Sequence, residues 1–247
     1  MTRIAIIPAR GGSTRVPLKN IREFCGVPML TRTISTLKES QCFDRIVVST
    51  DHPEISRIAV NCGAEAPFVR TDELSNNLTP TVEVIANSVE ILDLDDADDI
   101  CCVYATNPFL RIDALQLGAS IMGSERRFNY VTTVTTFPFP IQRAMLVSDS
   151  GLMEMAEPKF MMTHSQDLSE RFHECAQFWW AKGATWKERR GMQTDVIGIK
   201  LPRWMVQDID TPEDWETAEL KFQLISKNSK YSTFRVNESS IVTRHLD

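Results

Sequence analysis

A glycine-rich, positively charged segment follows the first apolar run of the chain, Ile4–Ile7. The segment contains two glycines, a serine and three cations: Gly11, Gly12, Ser13, Arg10, Arg15 and Lys19. Glycine allows the backbone to approach a ligand closely, so that backbone N–H groups and Ser13 can face phosphate oxygens. The three cations can neutralise the charge that spreads over a triphosphate. The segment therefore predicts a triphosphate-binding loop, and the alternative is a basic surface turn.

Two aspartates near the end of the chain have a spacing that suits a metal ion. In an extended backbone, Asp208 and Asp210 point to the same side, where two carboxylates can share one hard cation such as Mg²⁺. Thr211, Pro212 and Asp214 are typical of a helix start, a role that leaves the two aspartates unexplained. The spacing predicts a Mg²⁺ site directly before a helix.

Apolar runs and helix-like patterns alternate along most of the chain and would position these residues. Strands are predicted at 4–7, 45–50, 100–104, 130–136 and 196–201, and helices at 28–39, 53–62, 82–92, 112–122 and 215–224. Strands without polar alternation are typical of a parallel sheet covered on both faces, so the predicted fold class is a doubly wound α/β domain with a mostly parallel sheet. Ligands of such sheets bind at the carboxyl ends of strands. There, Asp51 is either a site residue or a helix N-cap.

The alternation stops between residues 137 and 180. This stretch has three prolines, five methionines and a predicted hairpin with its turn at 148–151. We interpret it as an insertion into a domain spanning 1–225, which a polar tail follows at 226–247. Its excess of apolar side chains favours a dimerisation flap over an ordinary packed flap, and we therefore expect a homodimer.

The segment Ala9–Asn20 resembles the signature loop of the CMP-sugar synthetases, cytidylyltransferases that activate nine-carbon acidic sugars such as sialic and pseudaminic acids. The resemblance covers nearly all of residues 3–224 and implies a nucleotidyltransferase-like fold. It implies that the loop, including Asn20, binds the phosphates of CTP and that Lys19 contacts the α-phosphate. Thr14 stands where this family usually has lysine. The loop of the Kdo cytidylyltransferases, which it also resembles, lacks that lysine.

Other segments resemble motifs of the same family. Arg70 matches the arginine that recognises the cytosine base, with Thr79 and Thr81 beside it, and Thr106 matches a residue near the ribose. The aspartates of 208–211 match the family's metal motif.

Two segments of the insertion, 163–168 and 176–180, look most like the pseudaminic acid branch, although His164 replaces an arginine. The resemblance implies contacts to the sugar from Gln142, Arg143, Ser165, Gln166 and Gln177. Taken alone, the methionines and aromatic residues of this region would be assigned to a core.

The resemblance thus implies transfer of CMP from CTP to a nonulosonic acid, with pseudaminic acid as the first candidate. Arg10, Lys19 and Asp210 would be the catalytic residues and Mg²⁺ the cofactor. Sialic, legionaminic or Kdo sugars are alternative acceptors. A metal-dependent glycosyltransferase and a non-catalytic nucleotide sensor are alternatives of other classes.

Composition limits the possible partners. The net charge is −6 and the sequence pI is about 5.4, which argues against a general nucleic-acid or membrane binder. No apolar run approaches the roughly 20 residues that span a bilayer. The six cysteines lack a C-x-x-C pair, a pattern that favours reduced thiols. We therefore expect a cytoplasmic protein.

Overall fold

Strands and helices alternate through most of the chain. The computed structural model describes residues 1–228, 231 and 233–242, so that part of the predicted polar tail lies outside the described residues. The strands are β1 (Arg3–Pro8), β2 (Glu23–Phe24), β3 (Val27–Pro28), β4 (Arg45–Ser49), β5 (Asp99–Val103), β6 (Tyr130–Thr136), β7 (Met145–Val147), β8 (Met153–Met155), β9 (Phe172–Lys182) and β10 (Val196–Lys200). The helices are α1 (Met29–Ser40), α2 (Pro53–Asn61), α3 (Asp72–Ser75), α4 (Thr81–Ile91), α5 (Ile112–Met122), α6 (Gly183–Lys187) and α7 (Pro212–Lys227).

Six strands form the central sheet in the order β10-β6-β9-β5-β1-β4. β1 pairs in parallel with β4 and β5, and β6 pairs in parallel with β10. Helices cover both faces because β1 is apolar on both sides. Its residues Ala5 and Ile7 pack in one core cluster with α1, α2 and α5, while Ile4 and Ile6 pack in another with α4 and α6. The predicted α/β fold with a mostly parallel sheet is confirmed.

The strand β9 lies in the middle of the sheet and is antiparallel to both β5 and β6. Its apolar run fills both faces, with Phe178 and Trp180 in one core cluster and Trp179 in the other. The predicted insertion at 137–180 therefore divides into two parts. Residues 172–180 belong to the sheet, whereas 137–171 lie outside it and include the predicted hairpin, β7–β8. We call residues 137–171 the flap.

A third cluster joins the loop after β1 to the segment before α7. Val16, Ile209 and Trp215 are almost fully buried in this cluster. Because β1, β4 and β5 are parallel neighbours, the segments that follow them meet at one edge of the sheet. The third cluster brings residues 208–210 to the same edge. In the part of the chain that the structure describes, no helix is long and apolar enough to cross a membrane.

Candidate active site

The loop after β1 is held in place by side chains on either side of it. Asn20 Nδ2 donates to the carbonyl of Arg10 at 2.8 Å, and the backbone N–H of Gly11 donates to Asp51 Oδ1 at 2.9 Å. Asp51 follows β4, so its carboxylate ties two neighbouring strand ends together. The N-cap of α2 is His52, whose Nδ1 accepts the backbone N–H of Glu54 at 3.2 Å. Of the two roles left open for Asp51, the structure thus favours the one in the site.

Arg70 is a buried cation that faces the same loop. It is only 4% exposed and is therefore not a solvated surface arginine. Its guanidinium lies 3.9 Å from Asp51 and donates from Nε to Ser75 Oγ at 3.1 Å. Burial lowers the pKa of Arg70, the charge of Arg10 adds to this shift, and Asp51 opposes it. Among the described residues, no carboxylate lies within salt-bridge distance of Arg10. Of these two neighbouring cations, only Arg70 has a carboxylate partner, and the excess of positive charge favours binding of an anion.

A cleft of about 240 Å³, which we call the main cleft, opens at this edge of the sheet. Eight of the predicted site residues line it: Arg10, Ser13, Lys19, Asn20, Arg70, Thr79, Thr81 and Thr106. A second space of about 280 Å³, the loop cavity, adjoins the loop after β1 (residues 9–20), which we call the phosphate loop after its predicted role. Arg15 and Asp210 also line this cavity. The two spaces share Arg10, Ser13, Lys19 and Asn77 and therefore adjoin each other. The structure thus brings the predicted nucleotide residues together.

Of the two predicted metal residues, Asp210 lines the loop cavity and Asp208 does not. Ile209 is fully buried, so the side chains of Asp208 and Asp210 on either side of it are directed outward, as the spacing predicts. Asp210 Oδ1 lies 3.0 Å from Arg15 Nη2 and 3.5 Å from Lys19 Nζ. Partial desolvation and then the charge of Asp210 raise the pKa of Asp208, and Lys19 partly offsets this shift.

These two carboxylates fit a magnesium ion bound together with a nucleotide. The described residues contain no group of three or more His, Cys, Asp or Glu side chains that could hold a metal by itself. Mg²⁺ is usually bound by one or two carboxylates together with substrate phosphates and water. The raised pKa of Asp208 also indicates that a nearby cation would relieve repulsion between the two aspartates. Asp208 and Asp210, the second of which lines the loop cavity, match this chemistry.

A third space of about 410 Å³, which we call the side cavity, adjoins the main cleft. The two share Thr81 and Tyr104, whose hydroxyl groups lie 3.4 Å apart. The side cavity is also lined by Glu174 and Trp179 of β9 and by residues 191–194. Residue spacing did not predict a site role for Glu174 or for residues 191–194, and it included Trp179 only within the segment 176–180. Trp179 is placed by the pairing of β9 with β5 and β6, and Glu174 by the pairing of β9 with β6.

The residues predicted to contact the sugar do not line the main cleft. Gln142 is buried in the flap and donates to the carbonyl of Ser169 at 2.7 Å. Gln177 is buried in β9 and donates to the carbonyl of Met205 at 3.4 Å. The remaining three are exposed on the flap: Arg143, Ser165 and Gln166. The structure therefore does not gather these five residues around the main cleft.

Comparison with known proteins establishes the class of the molecule. Residues 4–137, more than half of the chain, match the cytidylyltransferase family, to which the chain belongs. It is therefore a nucleotidyltransferase.

Relatives and solved structures agree with this class. The chain is 36% identical to the pseudaminic acid cytidylyltransferase of Campylobacter jejuni, over 91% of this chain and 97% of that protein. It is 32% identical to the CMP-N,N'-diacetyllegionaminic acid synthase of Legionella pneumophila, with the same coverage. A solved CMP:2-keto-3-deoxy-manno-octonic acid synthetase complexed with CTP has the same fold, with a TM-score of 0.68 at 13% identity over 91% of this chain and 99% of that chain.

Proposed function

We propose that this protein transfers CMP from CTP to the anomeric hydroxyl of a nonulosonic acid and releases pyrophosphate. Pseudaminic acid is the first candidate, since the chain is 36% identical to a pseudaminic acid cytidylyltransferase over almost its whole length. The observation that carries the proposal is that the main cleft and the loop cavity adjoin each other and share Arg10, Ser13 and Lys19. A nucleoside triphosphate fits these two spaces, because the buried cation Arg70 lines the first and the carboxylate of Asp210 lines the second.

In this proposal, the cytosine base lies in the main cleft and the triphosphate extends into the loop cavity. The buried guanidinium of Arg70 can donate hydrogen bonds to the acceptor atoms of cytosine. Arg10 has no carboxylate partner among the described residues and is therefore available to phosphate oxygens. Lys19 and Arg15 would exchange their ion pairs with Asp210 for contacts to the phosphates.

The acceptor sugar would occupy the side cavity. Because this cavity shares Thr81 and Tyr104 with the main cleft, a sugar bound there would lie next to the nucleotide. Trp179 can pack against a ring face, and Glu174 can accept hydrogen bonds from hydroxyl or amide groups.

The reaction is an in-line displacement at the α-phosphate. The anomeric oxygen forms a bond to phosphorus and loses its proton, while the bond from phosphorus to the pyrophosphate oxygen breaks. Arg10 and Lys19 would stabilise the negative charge that develops on the leaving pyrophosphate. Asp208 and Asp210 would hold Mg²⁺, which when bound polarises the α-phosphate.

We further propose that the protein is a homodimer joined through the flap and acts in the cytoplasm, where CTP is made. The flap exposes large apolar side chains, among them Phe139 (81% exposed), Leu146 (63%) and Met162 (89%). Exposed apolar surface of this kind is typical of an interface. The exposed residues Arg143, Ser165 and Gln166 would then reach a sugar in the partner's site rather than in their own.

Release of pyrophosphate from CTP, measured with a panel of pseudaminic, legionaminic, sialic and Kdo sugars, tests the proposal. We expect release to require both CTP and a nonulosonic acid, with pseudaminic acid giving the highest kcat/KM. Preference for another sugar would reassign the acceptor and retain the chemistry. Binding of CTP without turnover of any sugar would instead support a nucleotide sensor, and transfer from a nucleotide sugar would support a glycosyltransferase.

A further inference from the structure

The segment 206–211, which carries Asp208 and Asp210 and which we call the aspartate segment, is held by hydrogen bonds from two sides. On the side of the phosphate loop, Lys19 Nζ donates to the carbonyl of Ile209 at 2.5 Å. On the other side, Lys221 of α7 donates from Nζ to the carbonyl of Val206 at 3.0 Å and to Gln207 Oε1 at 2.8 Å. Both contacts of Lys221 are therefore made to the aspartate segment.

Lys221 has unusual surroundings for a lysine. Its side chain is partly buried, and burial lowers its pKa. Among the residues that the structure describes, no carboxylate lies within salt-bridge distance of it. Partial burial of an ammonium group without an opposite charge has a cost in free energy, which neutral acceptors offset only in part. An exposed ion pair would stabilise the helix without the free-energy cost of burial. We therefore expect Lys221 to have a role other than stabilising α7.

Gln207 extends the contact of Lys221 to both aspartates. Its Nε2 donates to the carbonyl of Asp208 at 3.1 Å and lies 3.4 Å from Asp214 Oδ1. The other oxygen of Asp214 accepts the backbone N–H groups of Asp210 at 3.1 Å and of Thr211 at 2.8 Å. A continuous set of hydrogen bonds thus runs from Lys221 to the backbones of both predicted metal ligands.

We propose that Lys221 is a positioning residue that acts through Gln207 to set the separation and direction of the Asp208 and Asp210 carboxylates. Groups that orient metal ligands influence metal affinity even though they do not touch the metal. This inference rests on the proposed function, because it assumes that the two aspartates hold a divalent cation beside the nucleotide.

The test measures binding of Mn²⁺, as the probe cation, to the full chain loaded with a non-hydrolysable CTP analogue. Lys221→Met removes both donated hydrogen bonds and keeps the aliphatic stem, and Lys221→Arg restores a donor and a charge. Lys227→Met, at the exposed end of the same helix, is the matched control. We expect Lys221→Met to raise the Kd for Mn²⁺ about 10-fold, the low end of effects of such outer groups. Lys221→Arg should recover most of this loss, and the control should stay within about 2-fold of the wild type.

Affinity for the CTP analogue without metal separates positioning from general damage. We expect it to change by less than about 2-fold in Lys221→Met, because Lys221 contacts the aspartate segment and not the cleft. Gln207→Leu should reproduce the Mn²⁺ effect, and the double variant should add little to it. If Lys221→Met fails to fold, Gln207→Leu still reports the effect. A lower melting temperature with unchanged Mn²⁺ affinity would overturn the inference.

The same measurements distinguish failure of this inference from failure of the proposed function. If wild-type protein binds Mn²⁺ and the CTP analogue but activates no sugar, the proposed reaction is wrong and the positioning role is still tested. If the wild type is active and Mn²⁺ affinity does not respond to either substitution, the positioning role is wrong and the reaction stands.

Discussion

Gly11 lies at the tightest point of the phosphate loop, and adding a single methyl group there tests the geometry of the site. A Cβ atom at Gly11 would lie 2.5 Å from His52 Cδ2, 2.9 Å from His52 Cβ and 3.0 Å from His52 Cγ. His52 cannot turn away freely, since its Nδ1 caps α2 and its backbone N–H donates to Thr50 Oγ1 at 3.1 Å. Gly11→Ala must therefore displace either the loop or the start of α2.

The expected loss of stability in Gly11→Ala follows from these distances. Overpacking of a well-packed site costs about 1 to 3 kcal/mol, and for a chain of this size each kcal/mol lowers the melting temperature by about 2 to 4 °C. We therefore expect Gly11→Ala to lower the melting temperature by roughly 2 to 12 °C. A shift of the loop also weakens the hydrogen bond from Gly11 to Asp51 and moves Arg10. A misplacement of about 1 Å can reduce kcat/KM by about 100-fold, which is the loss we expect for CTP.

Gly12→Ala is the matched control, because a Cβ at Gly12 would meet no atom within 4 Å. Without ligand, its melting temperature should equal that of the wild type within the error of a neutral surface change. Adding His52→Ala to Gly11→Ala removes two of the three close contacts and should restore part of the stability. Calorimetry and steady-state kinetics decide the matter. Equal melting temperatures for Gly11→Ala and Gly12→Ala would rule out the expected clash between residue 11 and His52.

Three further predictions follow from other parts of the molecule. Asp210→Asn should lower Mg²⁺-dependent turnover at least ~100-fold. It should not weaken CTP binding in the absence of metal, since Arg15 and Lys19 lose a competing charge. Normal turnover of this variant in a kinetic assay would contradict the metal assignment. Ala176 has a left-handed φ of 50°, which glycine adopts without strain, so Ala176→Gly should raise the free energy of unfolding by about 1 kcal/mol. Denaturant titrations measure this change, and a lower free energy of unfolding would contradict the prediction. Leu146→Asp should yield monomers in sedimentation velocity, whereas Val60→Asp, at an exposed apolar residue on α2, should leave the dimer intact; a monomeric wild type with full activity would exclude the dimer.

The sequence was sufficient to predict the strands and helices whose apolar spacing is regular. It also predicted the start of α7, where Thr211 and Asp214 form the expected capping box. The pairing of β9 was missed because periodicity shows that a segment is buried but not which strands it joins. The apolar run Phe178–Ala181 was visible, yet its antiparallel place between β5 and β6 depends on contacts far apart in the chain.

The site was predictable to the extent that its chemistry is local. The phosphate loop and the Asp208–Asp210 pair are short segments whose residue types alone predict phosphate binding and metal binding. By contrast, the role of Asp51 depends on the loop that lies opposite it and on His52 taking the cap position. Burial of Arg70 likewise depends on contacts with Asp51 and Ser75 that the fold creates. Such roles follow from packing and could not be read from residue spacing.

If the anomeric oxygen of the sugar attacks the α-phosphate of CTP, that oxygen stays bonded to the sugar and to phosphorus in the product. Pseudaminic acid labelled with ¹⁸O at its anomeric hydroxyl, incubated with CTP, Mg²⁺ and the protein, tests this directly by mass spectrometry of the product. We expect a CMP-sugar that retains the label in the oxygen between the sugar and phosphorus, together with unlabelled pyrophosphate. Unlabelled CMP-sugar, or hydrolysis of CTP without a CMP-sugar, would contradict it.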